Sequence, residues 1–270
     1  MTATTSQSSS STAERQAASS GTVSRVLQLL SVLADASGPI GVKQVAEQMS
    51  LAPSTVHRLL QLLRKEGFVD TASNSHQYAI GTQFYRVAAR VYAAGSPHDI
   101  ALPLIQAIAD EFNETVVFGL YQPVQRSVTF TASADGGQRL KYHLDMHTPL
   151  SLVWGASGKA ILAFLPPDIA RKIIESEGPS PASGAPVPDL ADLEKELART
   201  RRRGYAVTDG EKFPDARGIA APVYGPRGVL GCICLTSPKS RMPHGEIAQI
   251  GEKIVAQAAV LSQALGASDP

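Results

Sequence analysis

The chain has 270 residues, 43% of them hydrophobic, and 25 Lys and Arg against 24 Asp and Glu give a formal net charge of +1. That length suits one small domain beside a larger one with its own core, and the near-neutral balance excludes a protein that coats polyanions through bulk charge. No apolar run is long enough to span a bilayer, because the best candidate, residues 150–165, is broken by Gly155, Gly158 and Lys159.

Residues 1–20 are rich in Ser and Thr and lack an apolar core segment, so they are expected to form a disordered arm rather than a signal peptide or anchor. Val23, Val26, Leu27, Leu29, Leu30 and Leu33 then recur at helical spacing until Gly38-Pro39 ends the pattern. Val42, Val45, Ala46 and Met49 make a second, shorter apolar stripe, and Ser50-Leu51-Ala52 leaves room only for a turn. Pro53 suits the first turn of a third helix, where its missing N–H has no helical partner, and Val56, Leu59, Leu60 and Leu63 supply the buried face. Residues 68–80 alternate loosely around Asn74-Ser75, as two short strands and a wing would.

This succession reads as a winged helix-turn-helix over residues 21–81. Ser54, Thr55, His57 and Arg58 lie near the start of the third helix, where a recognition helix meets base edges and phosphates. Ser75 and His76 belong near the wing tip, and Arg25, Lys43 and Gln44 complete the candidate DNA contacts. Arg25, Lys43, Arg58, Arg64 and Lys65 would form a local basic patch on an otherwise neutral chain. Polar-faced helical hairpins occur in many folds, so the turn length and the following wing carry the DNA-binding reading.

Residues 82–96 read as a linker helix, with Phe84, Val87, Ala88 and Val91 at helical spacing before Gly95. Residues 97–270 mix helix and sheet, which makes the whole chain α+β. Helices are expected over 100–112, from about 156, over 168–177, over 190–203 and over 245–264, with strands over 115–121 and 127–132. Two further strands, 218–224 and 229–236, are joined by Gly225-Pro226-Arg227-Gly228, a hairpin turn. The Pro/Gly/Ser-rich segment 178–188 reads as a mobile loop. Cys232 and Cys234 share one face of a strand and are poorly placed to bridge each other, so they read as buried free thiols of a cytoplasmic protein. Neither a metal site nor a cofactor is expected.

Three landmarks in order carry a family resemblance: PSTVHRLLQLLRKEGFV at 53–69, SGKAILAFL at 157–165, and RGYAVTDGE followed by RGIAAPVYGPRG between Arg203 and Gly228. The chain resembles transcription regulators of the isocitrate lyase regulator (IclR) family from about residue 23 to residue 265. The resemblance implies a homodimer or dimer of dimers on palindromic operator DNA, and a C-terminal α/β domain similar to GAF and PAS sensors that binds a small effector. Carried onto matching positions, it implies an effector pocket of Ala156, Ser157, Thr208, Gly218, Cys234 and Thr236, with Leu150 as an apolar wall and Asp209 and Glu211 beside them.

The residues add their own argument for an anionic ligand, since a helix starting at Gly155-Ala156-Ser157-Gly158 presents free N–H groups and the positive end of a dipole. Trp154 stands where the family is usually small, and Arg139, Tyr142 and His143 fall on the segment expected to close over the site. An aromatic wall and a cation would favour an aromatic carboxylate over a short acid such as pyruvate or glyoxylate, and a catabolic operon as target. The alternative is Trp154 in the core and Arg139 in water, with a short acid or a protein partner as the signal. Catalysis finds no template: a phosphate loop needs Gly at Val153 and Ser or Thr at Ala160, and G-x-S-x-G needs Gly at Lys159.

Overall fold

The computed structural model describes residues 8–72, 76–93 and 96–267 and divides into two compact units, residues 1–94 and 95–270. In the first unit, α1 (Ser8–Asp35), α2 (Val42–Met49) and α3 (Pro53–Lys65) are followed by the wing strands β2 (Val69–Thr71) and β3 (Gln77–Ile80). A two-residue strand, β1 (Ile40–Gly41), pairs with β3 and completes a three-stranded sheet of order β1-β3-β2. Helix α1 starts at Ser8, within the segment expected from the sequence as an arm. Ala13, Glu14, Arg15, Gln16, Ala17 and Ala18 are good helix formers and let α1 propagate back from its packed end.

That packed end is narrower than its apolar stripe suggests. Leu29 and Leu33 are buried with Val45, Met49, Val56, Leu59, Leu60 and Tyr78, whereas Val23 and Leu27 are each 60% exposed. The connection from α2 to α3 turns on Ser50, which takes a left-handed φ of 51°, and Pro53 opens α3 behind an extended Ala52. Helix α4 (Thr82–Ala93) follows the wing and clusters with this first unit rather than forming a separate linker body.

The second unit is a three-layer sandwich. Its sheet has six strands in the order β6-β5-β4-β9-β8-β7, with every neighbour antiparallel. The strands are β4 (Thr115–Gln122), β5 (Ser127–Ala134), β6 (Pro149–Leu150), β7 (Ala206–Asp209), β8 (Ala216–Gly225) and β9 (Gly228–Pro238). Side chains alternate between faces. Val116, Phe118, Ile233 and Leu235 pack under α5 (Pro97–Phe112) and α9 (Ile247–Ala264), while Val117, Phe130, Cys232 and Cys234 face α6 (Ala156–Leu162), α7 (Pro167–Glu175) and α8 (Leu190–Arg203).

Helix α5 begins three residues before its expected start because Ser96 caps it, accepting the Asp99 N–H at 3.3 Å with Pro97 in the first turn. Both cysteines are buried and unbridged. The segment 178–188 has no helix or strand, yet it is pinned: Ser180 is 4% exposed and its hydroxyl donates to the Glu211 carbonyl at 3.0 Å.

Candidate functional site: a small cavity under helix α6

On the DNA-binding unit, Arg25, Lys43, Ser54, His57, Arg58 and His76 are exposed, and Thr55 is half-buried. Gln44 is exposed, but its side-chain oxygen accepts the Gly41 N–H at 3.2 Å and closes the start of α2. His57 meets Gln61 one turn on at 3.3 Å, and Gln61 donates to the Tyr78 hydroxyl at 3.1 Å, which ties the outer face of α3 to the wing strand β3. Ser75 lies outside the described residues, as does Asn74.

In the second unit, β7, β8 and β9 lay Thr208, Gly218 and Thr236 side by side, paired Thr208 to Gly218 and Gly218 to Thr236. Gly218 at the centre allows helix α6 to approach the sheet, because a Cβ there would stand 3.1 Å from the Ala156 Cβ. Ser157 extends over this row, with its N–H on the Cys234 sulfur. Burial pushes the Cys234 thiol up to about 11, against the opposing pull of Thr236, Lys212 and the Ser157 N–H, and burial raises Cys232 well above its ordinary value.

A cavity of about 40 Å³ lies here, and Ala156, Ser157, Thr208, Gly218, Cys234 and Thr236 all line it. Phe130, Leu144 and Phe213 add an apolar part to its lining. Tyr142 does not reach the cavity but stacks on Phe213, with ring centroids 5.0 Å apart and planes at 18°.

The entry to α6 is organised by Glu211. Gly155 has a φ of 88°, a conformation that suits glycine, and its N–H donates to Glu211 at 2.8 Å. The other carboxylate oxygen of Glu211 accepts from Lys159 at 2.5 Å, and Lys159, 1% exposed, also reaches both oxygens of Glu196 at 2.9 Å. The anion expected at the start of α6 is therefore the protein's own carboxylate, and the free cation of the site lies elsewhere.

That cation is Lys212, which the sequence reading missed. Its amine is fully buried in the cavity wall with no hydrogen-bond partner, 5.8 Å from the centre of the Phe130 ring. Burial pulls the amine below its ordinary value, with Cys234, Cys232, Glu211 and Asp145 opposing the shift. The side chain lies in an irregular loop, so no periodicity marks it. Its position next to Glu211 in a family landmark was the only available signal.

Several expected pocket residues are placed elsewhere. Trp154 is 5% exposed and packs in the core, where its indole N–H donates to the Gly178 carbonyl at 2.9 Å; a buried indole needs such an acceptor, and this one draws the ring off the cavity. Leu150, on the edge strand β6, packs against the same core. Asp209 follows the row but points away to buried Arg217 at 2.6 Å, and that guanidinium holds its carboxyl below the usual range. Arg139 and His143 are exposed. Among the described residues no cluster of His, Cys, Asp and Glu could hold a metal ion, and no helix is long and apolar enough to cross a membrane.

A winged helix-turn-helix joined to an α/β domain with a small cavity of mixed polar and apolar lining defines a DNA-binding protein with a ligand-sensing domain. The chain belongs to the IclR family: residues 98–263 match the bacterial transcriptional regulator IclR C-terminal domain, and residues 22–73 match the IclR helix-turn-helix domain. It is a DNA-binding transcriptional regulator with an effector-binding C-terminal domain. It is 24% identical to the transcriptional repressor IclR of Escherichia coli K12, over 90% of this chain and 89% of that protein. A solved IclR-type regulator from Silicibacter sp. TM1040 superposes with a TM-score of 0.82 at 25% identity, covering 92% of this chain and 98% of its own. An IclR homolog from Microbacterium hydrocarbonoxydans, complexed with 4-hydroxybenzoate, shares the fold with a TM-score of 0.74 at 18% identity, over 90% and 99% of the two chains.

Proposed function

We propose that this regulator changes its affinity for operator DNA when the cavity under α6 takes up a small organic acid with a flat apolar body. The observation that carries the reading is that the cavity's lining combines two kinds of side chain. Ser157, Thr208 and Thr236 bring hydroxyl groups to it, and Phe130, Phe213 and Leu144 bring apolar, largely aromatic surface. Hydroxyls orient a carboxylate, and aromatic side chains stack on a ring. The homolog complexed with 4-hydroxybenzoate supports the same class of ligand on a shared fold.

Size favours a second reading. A cavity of about 40 Å³ is small beside the roughly 150 Å³ that takes a benzene ring, so a short acid such as pyruvate or glyoxylate fits with less rearrangement. An aromatic acid requires the irregular segment 210–215 to move, which supplies the conformational difference an effector needs in order to act.

On the DNA side, two copies of α3 in a homodimer, or in a dimer of dimers, meet half-sites about 34 Å apart. Effector and operator then influence each other reciprocally, with α4 as the connecting element. The protein works in the cytoplasm on a catabolic operon. Fluorescence anisotropy on a duplex selected from random sequence, with and without benzoate, 4-hydroxybenzoate, pyruvate and glyoxylate, tests the reading. A saturable change in affinity with an aromatic acid is expected. A change with the short acids alone selects the second reading, and no change with any acid removes organic acids as the signal.

A further inference from the structure

Resting on the acid-sensing reading, we infer that Lys212 is the anchor for the effector carboxylate, its amine standing without a hydrogen-bond partner until the ligand's acidic end arrives. Three observations converge on this side chain. The residue as a whole is only half-buried while its amine has no contact with solvent, so the stem faces outward and the head inward. Lysines ordinarily do the reverse and extend the ammonium to water.

The amine also lacks a partner among groups that could supply one. Glu211 is the adjacent residue, but its two carboxylate oxygens are committed to Gly155 and Lys159. An unpaired buried amine is costly to keep, and a site that keeps one is built for a group that arrives later. The third observation is the backbone beneath it. Gly155 has no side chain, and a Cβ there would stand 3.0 Å from Lys212 Cδ and Cε, so the turn into α6 provides the bed on which the lysine stem lies.

The arriving group has to be an anion that also satisfies Ser157 and Thr236 across the same small space, which describes a carboxylate. Its apolar remainder would lie toward Phe130 and Phe213. Charge is matched locally on binding, because the carboxylate brings the negative charge that the buried amine lacks beside it.

The test uses the full-length protein and the variant Lys212→Met, with 4-hydroxybenzoate, its neutral amide 4-hydroxybenzamide, and pyruvate as probes, read by thermal shift and by titration calorimetry. The wild-type protein is expected to respond to an acid and not to the amide, and K212M to bind that acid about 10- to 100-fold more weakly. Free of ligand, K212M is expected to melt higher than the wild type, because a thioether suits the apolar wall better than an unpaired amine. A K212M protein that melts lower than the wild type, or that binds the acid as well, overturns the inference while leaving acid sensing intact. A wild-type protein unmoved by either acid overturns the acid-sensing reading itself, and this inference with it.

Discussion

Replacing Glu211 with Ala should destabilise the sensor unit by about 3 kcal/mol, and the figure can be built from its contacts. The Gly155 N–H loses its acceptor in a buried turn, which costs about 1–3 kcal/mol. Lys159 keeps both oxygens of Glu196, so loss of its second carboxylate adds about 1 kcal/mol once the 20% exposure of Glu211 is allowed for. The Ser180 bond survives because it uses the Glu211 backbone. For a domain of this size, about 3 kcal/mol lowers the melting midpoint by roughly 6–12 °C. The only tryptophan, Trp154, is buried in this unit, so urea unfolding followed by its emission reports the sensor unit without the DNA-binding one. Glu211→Gln, whose amide oxygen can still accept from Gly155, should fall between the two. A Glu211→Ala protein within about 0.5 kcal/mol of the wild type would refute the claim that this carboxylate organises the entry to α6.

Arg58→Ala should weaken operator binding by about 1–3 kcal/mol without changing acid affinity, measured by anisotropy and calorimetry; unchanged operator affinity would remove α3 from the interface at that position. Gly218→Val should force Ala156 away from the sheet, cost about 1–3 kcal/mol by overpacking, and abolish the acid response while operator binding survives. A normal response in that variant would place the effector elsewhere. Because burial raises both cysteine thiols, with Cys234 at about 11, neither should react with a disulfide reagent at pH 8 until denaturant is added. The same upward shift means that their contribution to stability is intact below the ordinary thiol value of 9 and is lost as pH rises toward 11. Thiols that react in the native protein at pH 8 would contradict their enclosure.

Long elements were legible in the sequence because their ends carry chemistry. Helix α8 runs from Leu190 to Arg203 as expected, between Asp189, which accepts the Ala191 N–H, and Gly204 in a left-handed conformation. Strands β1 and β6, two residues each, are too short for any alternation to show, and their pairing partners alone define them. In the row, Thr208 and Gly218 lie within the landmarks, and Thr236, beyond them, came from the position matched to the family. Lys212 stayed invisible because an irregular loop has no period, and its meaning depends on an unpaired amine that only coordinates reveal. Trp154 misled for a physical reason: a lone aromatic beside a glycine-rich turn suggests a ligand wall, but its N–H is satisfied by Gly178 on the far side.

The floor of the cavity is one rung across three strands, and that rung belongs to a sheet tied together by distant parts of the chain. Thr208 and Gly218 meet through β7 and β8, but Thr236 joins them only after the β8–β9 hairpin forms, and β9 is itself held by β4, more than a hundred residues earlier in the chain. A molecule bound over the rung therefore recognises only the finished sheet and shifts the folding balance toward it. Degradation draws on the unfolded fraction, so such a molecule should lengthen the protein's lifetime in the cell as well as alter its grip on DNA. The amount of regulator present would then carry information about the signal over generations, long after the fast binding event has come to equilibrium.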